Sequence, residues 1–472
     1  MCDAVLNVWD KRSIYIKCKK LITMFRSRNL KFYSFYEIRG CKNFRTSINL
    51  KIKNQKMHEL NFLTREQISD IEENFTTPVY VYSEEKLIEA ADNFLAFPHA
   101  FGHTVRYAMK ANANINILKI FKNKGIKIDC SSEYEAYRAL QAGYRGEDLQ
   151  ISGQETPRNL VDLIEKGVFM VATSLKQIEE VGKIKSGIKI GVRLNPGMGS
   201  GAFKAISTGG ETSAFGIWHE YVPEVKELAE RYNLEISKIH IHIGSENTPE
   251  SWTESASIGL NFISQFESAT ILDMGGGFKK AIMPYEQSAD LQAIGKSVAG
   301  KFEEFYEKTG RKVHLEVEPG KYMVINSCSV IAKIDDIVDT GKNGYKFIRT
   351  NTGMTEMPRV PMYGVQQPVI VLNDSEETEE YVVVGHCCES GDILTTKLYS
   401  QEELEAISLP KVSIGDTIVV EGTGAYNSSM SMKNYNSFPE AGELLIKSNG
   451  EIVEMRKRQE VSDIWRNEIE VI

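Results

Sequence analysis

A regular alternation of short apolar segments with amphipathic helical segments, from residue 77 to residue 319, limits what this chain can fold into. Runs rich in β-branched and aromatic residues predict strands, and apolar residues with a helical period predict helices. Strands are predicted at 78–82, 104–109, 127–130, 149–151, 170–172, 189–193, 239–243, 271–274 and 313–317. Helices are predicted between them, among others at 84–95, 115–123, 133–142, 221–232 and 291–309.

Repeated strand–helix units predict an α/β fold with a parallel sheet, and we expect a (β/α)8 barrel over residues 84–319. A barrel of this kind typically needs about 250 residues, which this part of the chain supplies. An open, doubly wound sheet is the alternative, because periodicity alone does not separate the two folds.

The pattern changes after Pro319, where strand signals follow one another without helices between them. Strands are predicted at 329–340, 345–348, 369–372, 381–384, 417–421 and 443–447. The dipeptides Asn343-Gly344 and Asn449-Gly450 are typical of hairpin turns. We therefore expect a C-terminal all-β domain over residues 320–472, to which residues 57–83 contribute an N-terminal strand.

The first 56 residues differ from the rest in charge, since they hold 14 Lys or Arg but only three Asp or Glu. This basic extension has no sustained apolar run, so a secretory signal is not predicted. Its composition fits an organellar transit peptide. We favour instead an upstream segment that is disordered or not native, with Met57 as the natural start, and leave residues 1–56 outside the fold.

Overall composition excludes several other classes of protein. A net charge of −8 disfavours a nucleic-acid partner, because phosphate binding needs a basic face. No stretch approaches the roughly 18 consecutive apolar residues of a membrane span, so no membrane partner is predicted. The seven cysteines are odd in number and scattered, which is typical of reduced thiols. We expect a cytoplasmic protein, with organellar targeting by residues 1–56 left open.

Two motifs stand where predicted barrel strands end. Lys110 follows the strand predicted at 104–109, at the edge where barrel enzymes place catalytic groups. Its apolar neighbours are expected to lower its pKa and favour the free amine. Gly275-Gly276-Gly277 follows the strand at 271–274, and its backbone N–H groups can approach a phosphate closely. A solvated lysine and a simple tight turn are the alternatives.

Two histidines, His240 and His242, stand two residues apart on the strand predicted at 239–243, so we expect them to share one face. His242 can stack on an aromatic ring, and the Ser245 hydroxyl can bind a phosphate. A metal site is the alternative for the histidine pair. The sequence shows no obvious third ligand, and no metal is predicted.

Two further motifs carry acidic groups. Glu318, in Glu318-Pro319-Gly320, can hold a proton on a ring nitrogen, and its alternative is a carboxylate that caps a turn. Cys388 stands beside Glu389, and a thiol next to a carboxylate can return a proton to a carbanion. A buried thiol next to a turn explains the second motif equally well.

In their joint order these motifs resemble the ornithine/diaminopimelate/arginine decarboxylases, which are pyridoxal 5'-phosphate enzymes with an alanine-racemase-type barrel. The resemblance covers roughly residues 60 to 460. It rests on Tyr107-Ala108-Met109-Lys110-Ala111-Asn112, Asp129-Cys130-Ser131-Ser132-Glu133, Arg193-Leu194-Asn195-Pro196, Ser213-Ala214-Phe215-Gly216-Ile217, His242-Ile243-Gly244-Ser245, Gly275-Gly276-Gly277, Glu318-Pro319-Gly320, Cys388-Glu389-Ser390-Gly391-Asp392 and Gly424-Ala425-Tyr426. The Cys-Glu-Ser-Gly-Asp form is similar to the diaminopimelate branch.

The resemblance implies pyridoxal phosphate as the cofactor, Lys110 as the Schiff-base lysine and Cys388 as the proton donor. Implied cofactor-binding residues are Lys110, His242, Ser245, Gly275, Gly276, Gly277, Glu318, Gly320 and Tyr426. Implied substrate-binding residues are Lys321, Arg359, Tyr363, Glu389 and Tyr426. The family is typically a head-to-tail homodimer whose active sites lie at the interface, so the thiol would be Cys388 of the partner subunit.

The implied activity is decarboxylation of meso-diaminopimelate to L-lysine and carbon dioxide. Two departures from the family pattern, Lys321 in place of Arg and Ala214 in place of Lys, concern the substrate. They leave open a sister decarboxylase that acts on D-ornithine, D-lysine, carboxynorspermidine or another basic amino acid. Racemisation is disfavoured by Glu318, since racemases usually place Arg there. An inactive binding regulator is disfavoured by the presence of Lys110 and Cys388.

Overall fold

Eight parallel strands close into a barrel, which confirms the predicted fold class and excludes the open sheet. The structure, a computed structural model, describes residues 59–197, 210–242, 244 and 248–472, so the basic extension lies outside it. After β1 (Val79–Ser83), the barrel strands are β2 (His103–Ala108), β3 (Lys127–Cys130), β4 (Leu149–Ile151), β5 (Phe169–Ala172), β6 (Lys189–Asn195), β8 (Glu235–His240), β9 (Ile271–Asp273) and β10 (His314–Val317), with the short β7 (Ile217–Trp218) attached to β6. Because β5 pairs with both β4 and β6, the ring is closed.

Helices lie between the barrel strands, and most begin at a polar residue directly after a strand or loop. The helices are α1 (Arg65–Asn74), α2 (Glu84–Leu95), α3 (Ile115–Asn123), α4 (Glu133–Gln141), α5 (Leu160–Glu165), α6 (Leu175–Ile184), α7 (Val222–Arg231), α8 (Pro249–Ser264), α9 (Leu291–Thr309), α10 (Lys321–Val324) and α11 (Arg359–Tyr363). The hydroxyl groups of Ser83, Ser132 and Ser174 each accept a hydrogen bond from a backbone N–H of the first turn. These caps satisfy donors that would otherwise be unpaired, and they fix where the chain turns from strand to helix.

One strand differs from its prediction in a way that affects the site. Strand β8 spans Glu235–His240, whereas the sequence predicts 239–243. The buried charge of Lys238 interrupts the apolar run, and this hides the true strand from an analysis of hydropathy. His240 therefore lies on the strand and His242 lies beyond its end, so the expectation that both share one strand face is wrong.

A second sheet of nine strands contains β1 and the C-terminal part of the chain. Its other strands are β11 (Cys328–Asp339), β12 (Lys346–Thr350), β13 (Val369–Leu372), β14 (Thr378–Val384), β15 (Ile407–Pro410), β16 (Thr417–Glu421), β17 (Gly442–Ile446) and β18 (Ile452–Arg456). Strand β1 pairs with β11 on one side and with β17 on the other. Strands β15 and β18 were not predicted, because both are short edge strands that include an exposed polar residue.

The second sheet meets the barrel at the loop that follows β2. The Tyr426 backbone N–H donates to the Ala111 carbonyl at 2.8 Å. The Asn112 side chain donates to the Gly424 carbonyl at 3.1 Å and to the Tyr82 hydroxyl at 2.9 Å. These buried hydrogen bonds hold Tyr82 and the segment 424–426, which are far apart in sequence, against the two residues that follow Lys110.

Two further findings concern the whole described chain. Its cysteines, Cys130, Cys328, Cys387 and Cys388, all carry free thiols. Within the described ranges, no helix combines the length and apolar composition that crossing a bilayer requires.

Candidate active site

Lys110 lies on a single 3₁₀ turn directly after β2, at the carboxyl end of the barrel. The loop after β10 lies against this turn, since the Ala108 N–H donates to the Pro319 carbonyl at 3.2 Å. A Cβ on Gly320 would lie 3.2 Å from the Ala108 Cβ. The absence of a side chain at Gly320 therefore lets β10 approach the lysine turn.

The electrostatic surroundings of Lys110 differ from the sequence-based expectation. Desolvation lowers the pKa of Lys110, but nearby Tyr426, Asp129 and Glu318 raise it more, and the resulting pKa lies above the ordinary value. The expectation that apolar neighbours lower this pKa is wrong, because the neighbours across the barrel carry carboxyl and phenol groups. The side chain also remains accessible to solvent, so Lys110 lies in a recess that opens outward.

The three glycines form a turn that packs against His242 and Glu318. Gly275 has φ +69° and Gly277 has φ +101°, a left-handed backbone that side chains disfavour. A Cβ on Gly276 would lie 2.3 Å from the Glu318 carbonyl oxygen, and one on Gly275 would lie 2.7 Å from His242 Nδ1. The turn thus brings together three of the predicted site motifs. Ser245 lies outside the described residues.

His242 contributes an uncharged imidazole to this cluster. Burial lowers its pKa well below the usual range, and the positive charges of Arg193 and Lys110 lower it further. Its Nδ1 is buried without a hydrogen-bond partner among the described residues. A neutral ring of this kind can stack against another flat ring without bringing a charge.

Glu318 is buried in the barrel, where its carboxyl group meets two others. The Gln150 amide donates to Glu318 at 2.5 Å, to Asp129 at 3.1 Å and to Asp273 at 3.2 Å. Burial raises the pKa of Glu318 well above its ordinary value, and Asp129 and Asp273 raise it further. Without a cationic partner Glu318 therefore retains a proton, which it can pass to a basic ring nitrogen.

The same region contains a possible set of metal ligands that the sequence did not reveal. Ligand atoms of His240, Asp273 and Glu318 all lie within 4.8 Å of one another, and all three residues are buried. His242 is not part of this set. The Gln150 amide occupies one oxygen of each carboxylate, and a Gln150 contact with the Lys238 ammonium brings positive charge close by. Both features weigh against a cation there.

A second group of predicted residues forms a cationic pocket beside the cluster. Arg359 and Tyr363 lie one helical turn apart on α11. Burial lowers the pKa of Arg359 below its ordinary value, and nearby Tyr426, Tyr363 and Glu286 offset only part of this. Arg359 is 5% exposed, and its Nη1 has no hydrogen-bond partner among the described residues. A buried guanidinium without a partner indicates a binding site for an anion.

Lys321 belongs to this pocket. Burial and the charge of Arg359 lower the pKa of Lys321 to about 7. Tyr426 lies near the same arginine and adopts φ +55°, which is uncommon for a residue with a side chain. Strained backbone of this kind is frequent at functional sites.

Cys388 and Glu389 lie on an exposed segment after β14. The Cys388 N–H donates to the Asn436 side chain at 2.7 Å, and the Tyr435 hydroxyl donates to Glu389 at 3.2 Å. Asp392 accepts a hydrogen bond from the Cys387 N–H at 2.9 Å, which holds the loop. None of these contacts joins the segment to Lys110 of the same chain within the part that the structure describes.

The sequence analysis assigned no role to several residues that the fold brings into the barrel interior. They are Arg106, Asp129, Gln150, Arg193, Lys238, Asp273 and Glu316. A signal was present, because each is a polar residue within or beside a short apolar strand. A charged residue is almost never fully buried unless it is paired, so its position between strand residues indicates a paired interior group.

A comparison with protein families identifies the class of enzyme in which this cluster occurs. A family model described as "Pyridoxal-dependent decarboxylase, pyridoxal binding domain" matches residues 86–325, more than half of the chain. The chain belongs to the pyridoxal-dependent decarboxylases. The matched region contains Lys110, His242, the glycine turn and Glu318, and it includes the whole barrel apart from the start of α2.

Individual relatives agree with this family. The diaminopimelate decarboxylase of Streptomyces coelicolor is 30% identical over 411 residues, which cover 84% of this chain and 90% of the relative. The enzyme of the same name from Escherichia coli K12 is 29% identical and covers 86% and 97%. A crystal structure of diaminopimelate decarboxylase from Helicobacter pylori complexed with L-lysine gives a TM-score of 0.74 at 27% identity, and covers 84% and 98%.

Pyridoxal phosphate is the cofactor of this decarboxylase, and the residues present fit it. The cofactor carries an aldehyde, a phosphate and a pyridine nitrogen. The cluster offers an accessible amine on Lys110 and glycine N–H groups without side chains. It also offers a buried carboxyl group on Glu318 and a buried guanidinium on Arg359, whose Nη1 has no partner in the part of the chain that the structure describes.

Proposed function

We propose that this pyridoxal-dependent decarboxylase converts meso-diaminopimelate to L-lysine and carbon dioxide. The observation that carries the proposal is the buried Arg359 beside Lys321, since Nη1 of this arginine has no hydrogen-bond partner among the described residues. The two cations lie at the edge of the cluster formed by Lys110, Glu318 and the glycine turn. A substrate with a carboxylate at each end needs such a cationic pocket for the end that does not react. The names of the relatives support the same substrate.

Each site residue has a proposed role in this reaction. When bound, pyridoxal phosphate supplies an electron sink for the pair left on Cα when carbon dioxide departs. Lys110 would hold the cofactor through its amine, and Glu318 would hold a proton at the ring nitrogen. His242 would lie against the ring, and the glycine turn, Gly320 and Tyr426 would hold the phosphate. Ser245 is proposed to add a hydroxyl donor.

Two residues on the exposed segment complete the proposal. Cys388 is proposed to deliver a proton to Cα, forming the C–H bond that replaces the broken C–C bond, and Glu389 to contact the substrate amine. Both side chains are exposed in the isolated chain. We therefore propose a homodimer in which Cys388 of the partner subunit completes the site.

Mixing Lys110→Ala chains with Cys388→Ala chains should restore activity, because one of the two sites in a mixed dimer then contains both Lys110 and the thiol. No restoration of activity would contradict a shared site.

Carbon dioxide release tests the substrate directly. In the presence of pyridoxal phosphate, kcat/KM should be highest for meso-diaminopimelate and about 100-fold lower for D-lysine, which lacks the second carboxylate. L-lysine, D- and L-ornithine and L-arginine complete the panel, and Lys110→Ala is the inactive control. Release of carbon dioxide from one of the other amino acids but not from meso-diaminopimelate would reject the proposed substrate, while the protein would still be a decarboxylase.

Lys321 makes substrate binding dependent on pH. Because its pKa is lowered to about 7, its positive charge is lost as the pH rises through that value. The KM for meso-diaminopimelate should rise about tenfold from about pH 7 to about pH 8.5. Lys321→Arg should flatten this profile, since arginine stays charged.

The matched control for this experiment is Lys279→Arg. Lys279 lies in the same charged neighbourhood and pairs with Glu286 at 3.7 Å, but it is more exposed. Lys279→Arg should leave the dependence of KM on pH as it is in the wild type. The same steep rise in KM for Lys321→Arg and for wild type would show that Lys321 does not hold the substrate carboxylate.

A further inference from the structure

A chain of buried polar contacts runs through the barrel floor to Glu318, and the proposed mechanism does not use it. The Lys238 ammonium group contacts Gln150 Oε1 at 2.5 Å and also binds Glu316. Glu316 is also paired with Arg106 at 2.8 Å. On its other side, Gln150 donates to Asp129, Asp273 and Glu318. Gln150 is 0% exposed and Lys238 is 1% exposed.

Lys238 fixes the orientation of the Gln150 amide. An ammonium group only donates hydrogen bonds, so the amide oxygen must face Lys238. The amide NH2 then necessarily faces the carboxyl groups on the opposite side. A free glutamine could rotate its amide and present its oxygen to the carboxylates, which would repel them. The contact with Lys238 removes that alternative.

The three carboxyl groups need the donor that this orientation provides. Asp129 also accepts from the Ser152 hydroxyl at 2.7 Å, and Asp273 accepts from the Gly275 N–H at 2.9 Å. Gln150 donates a hydrogen bond to Glu318, whereas a hydrogen bond shared with Asp273 raises the pKa of Glu318. Glu318 also faces two cationic side chains, those of Lys110 and Arg193. His240 Nε2 lies 3.5 Å from the Oε2 atom of Glu318. A hydrogen bond from Gln150 therefore favours the ionised carboxylate over the protonated acid.

Stability alone does not account for this arrangement. A buried ion pair often contributes no more to folding than apolar residues of similar volume would. Gln150 is flanked by Leu149 and Ile151, and Lys238 is followed by Ile239, so valine or leucine could fill both interior positions. A costly polar chain that ends on a proposed cofactor-binding carboxyl group indicates a role in controlling that group.

We propose that Gln150, oriented by Lys238, is a positioning residue that holds the Glu318 carboxylate in the ionised state that a protonated ring nitrogen requires. This inference rests on the role proposed for Glu318. It assigns Lys238 an indirect function, since the ammonium group acts through the glutamine amide. The Arg106–Glu316 pair balances the charge of Lys238 in the barrel interior.

The test compares the binding of two ligands, pyridoxal phosphate and its carbocyclic analogue in which a ring C–H replaces the nitrogen. The two share every contact except that at the ring nitrogen, so the ratio of their dissociation constants reports on Glu318. Wild-type protein should prefer pyridoxal phosphate about tenfold or more, the range of a charge-assisted hydrogen bond. Gln150→Leu should reduce this preference to about threefold or less.

Two further variants complete the experiment. Lys238→Met leaves Gln150 in place but frees its amide, so the preference should fall here too, and this variant carries the test if Gln150→Leu does not fold. Gln177→Leu is the matched control, because Gln177 is also buried but its amide donates to the Gly153 and Gln154 carbonyls at 3.1 Å. It should keep the wild-type preference.

The outcomes separate this inference from the proposed function. A wild-type preference that persists in both Gln150→Leu and Lys238→Met would overturn the inference. A wild-type protein without any preference would instead reject the role of Glu318 on which the inference rests. Because neither ligand measurement involves the amino-acid substrate, failure of the proposed substrate would show only in the carbon dioxide assay.

Discussion

The carboxyl group of Glu318 is buried between those of Asp129 and Asp273, and much of the barrel interior compensates for this concentration of acid. Like charges in a low-dielectric interior raise one another's pKa and favour protonation. The fold opposes this with hydrogen bonds from Gln150, Ser152 and the glycine turn, and with the charge of Lys110. In the absence of a cation at this carboxyl group, its raised pKa favours the protonated form, and a basic ring nitrogen can take up that proton and leave the carboxylate ionised.

Closure of the barrel makes this balance possible. Asp129, Asp273 and Glu318 come from different strands or strand ends, and their carboxyl groups meet only because β3, β9 and β10 belong to one ring. The second sheet adds what the barrel does not supply. It anchors the segment around Tyr426 to the lysine turn and carries Arg359 into the same recess. The candidate site is thus built from segments that lie far apart in sequence.

The sequence predicted the features that depend on local patterns. The eight barrel strands, the position of Lys110 after β2 and the glycine turn after β9 all follow from short apolar runs and the residues that end them. The direction of the Lys110 pKa shift and the limits of β8 were predicted wrongly. Both depend on groups that face one another across the barrel, and a hydropathy pattern contains no information on which side chains meet.

The interior chain from Lys238 through Gln150 was missed for a related reason. In a sequence, a polar residue within an apolar run weakens the strand prediction or indicates an exposed position. Only the closed barrel shows that its side chain points inward. Arg106, Gln150, Lys238 and Glu316 are each such a residue. Considered as a group, polar residues at interior positions of several barrel strands would have predicted a paired network beneath the site.

Nitrogen NMR can show whether Glu318 holds a proton at the cofactor ring nitrogen. The protein is loaded with pyridoxal phosphate labelled with ¹⁵N in the ring and measured at neutral pH. We expect the chemical shift of a protonated pyridine nitrogen in wild type and that of an unprotonated nitrogen in Glu318→Gln. An unprotonated nitrogen in the wild-type protein would contradict this role of Glu318.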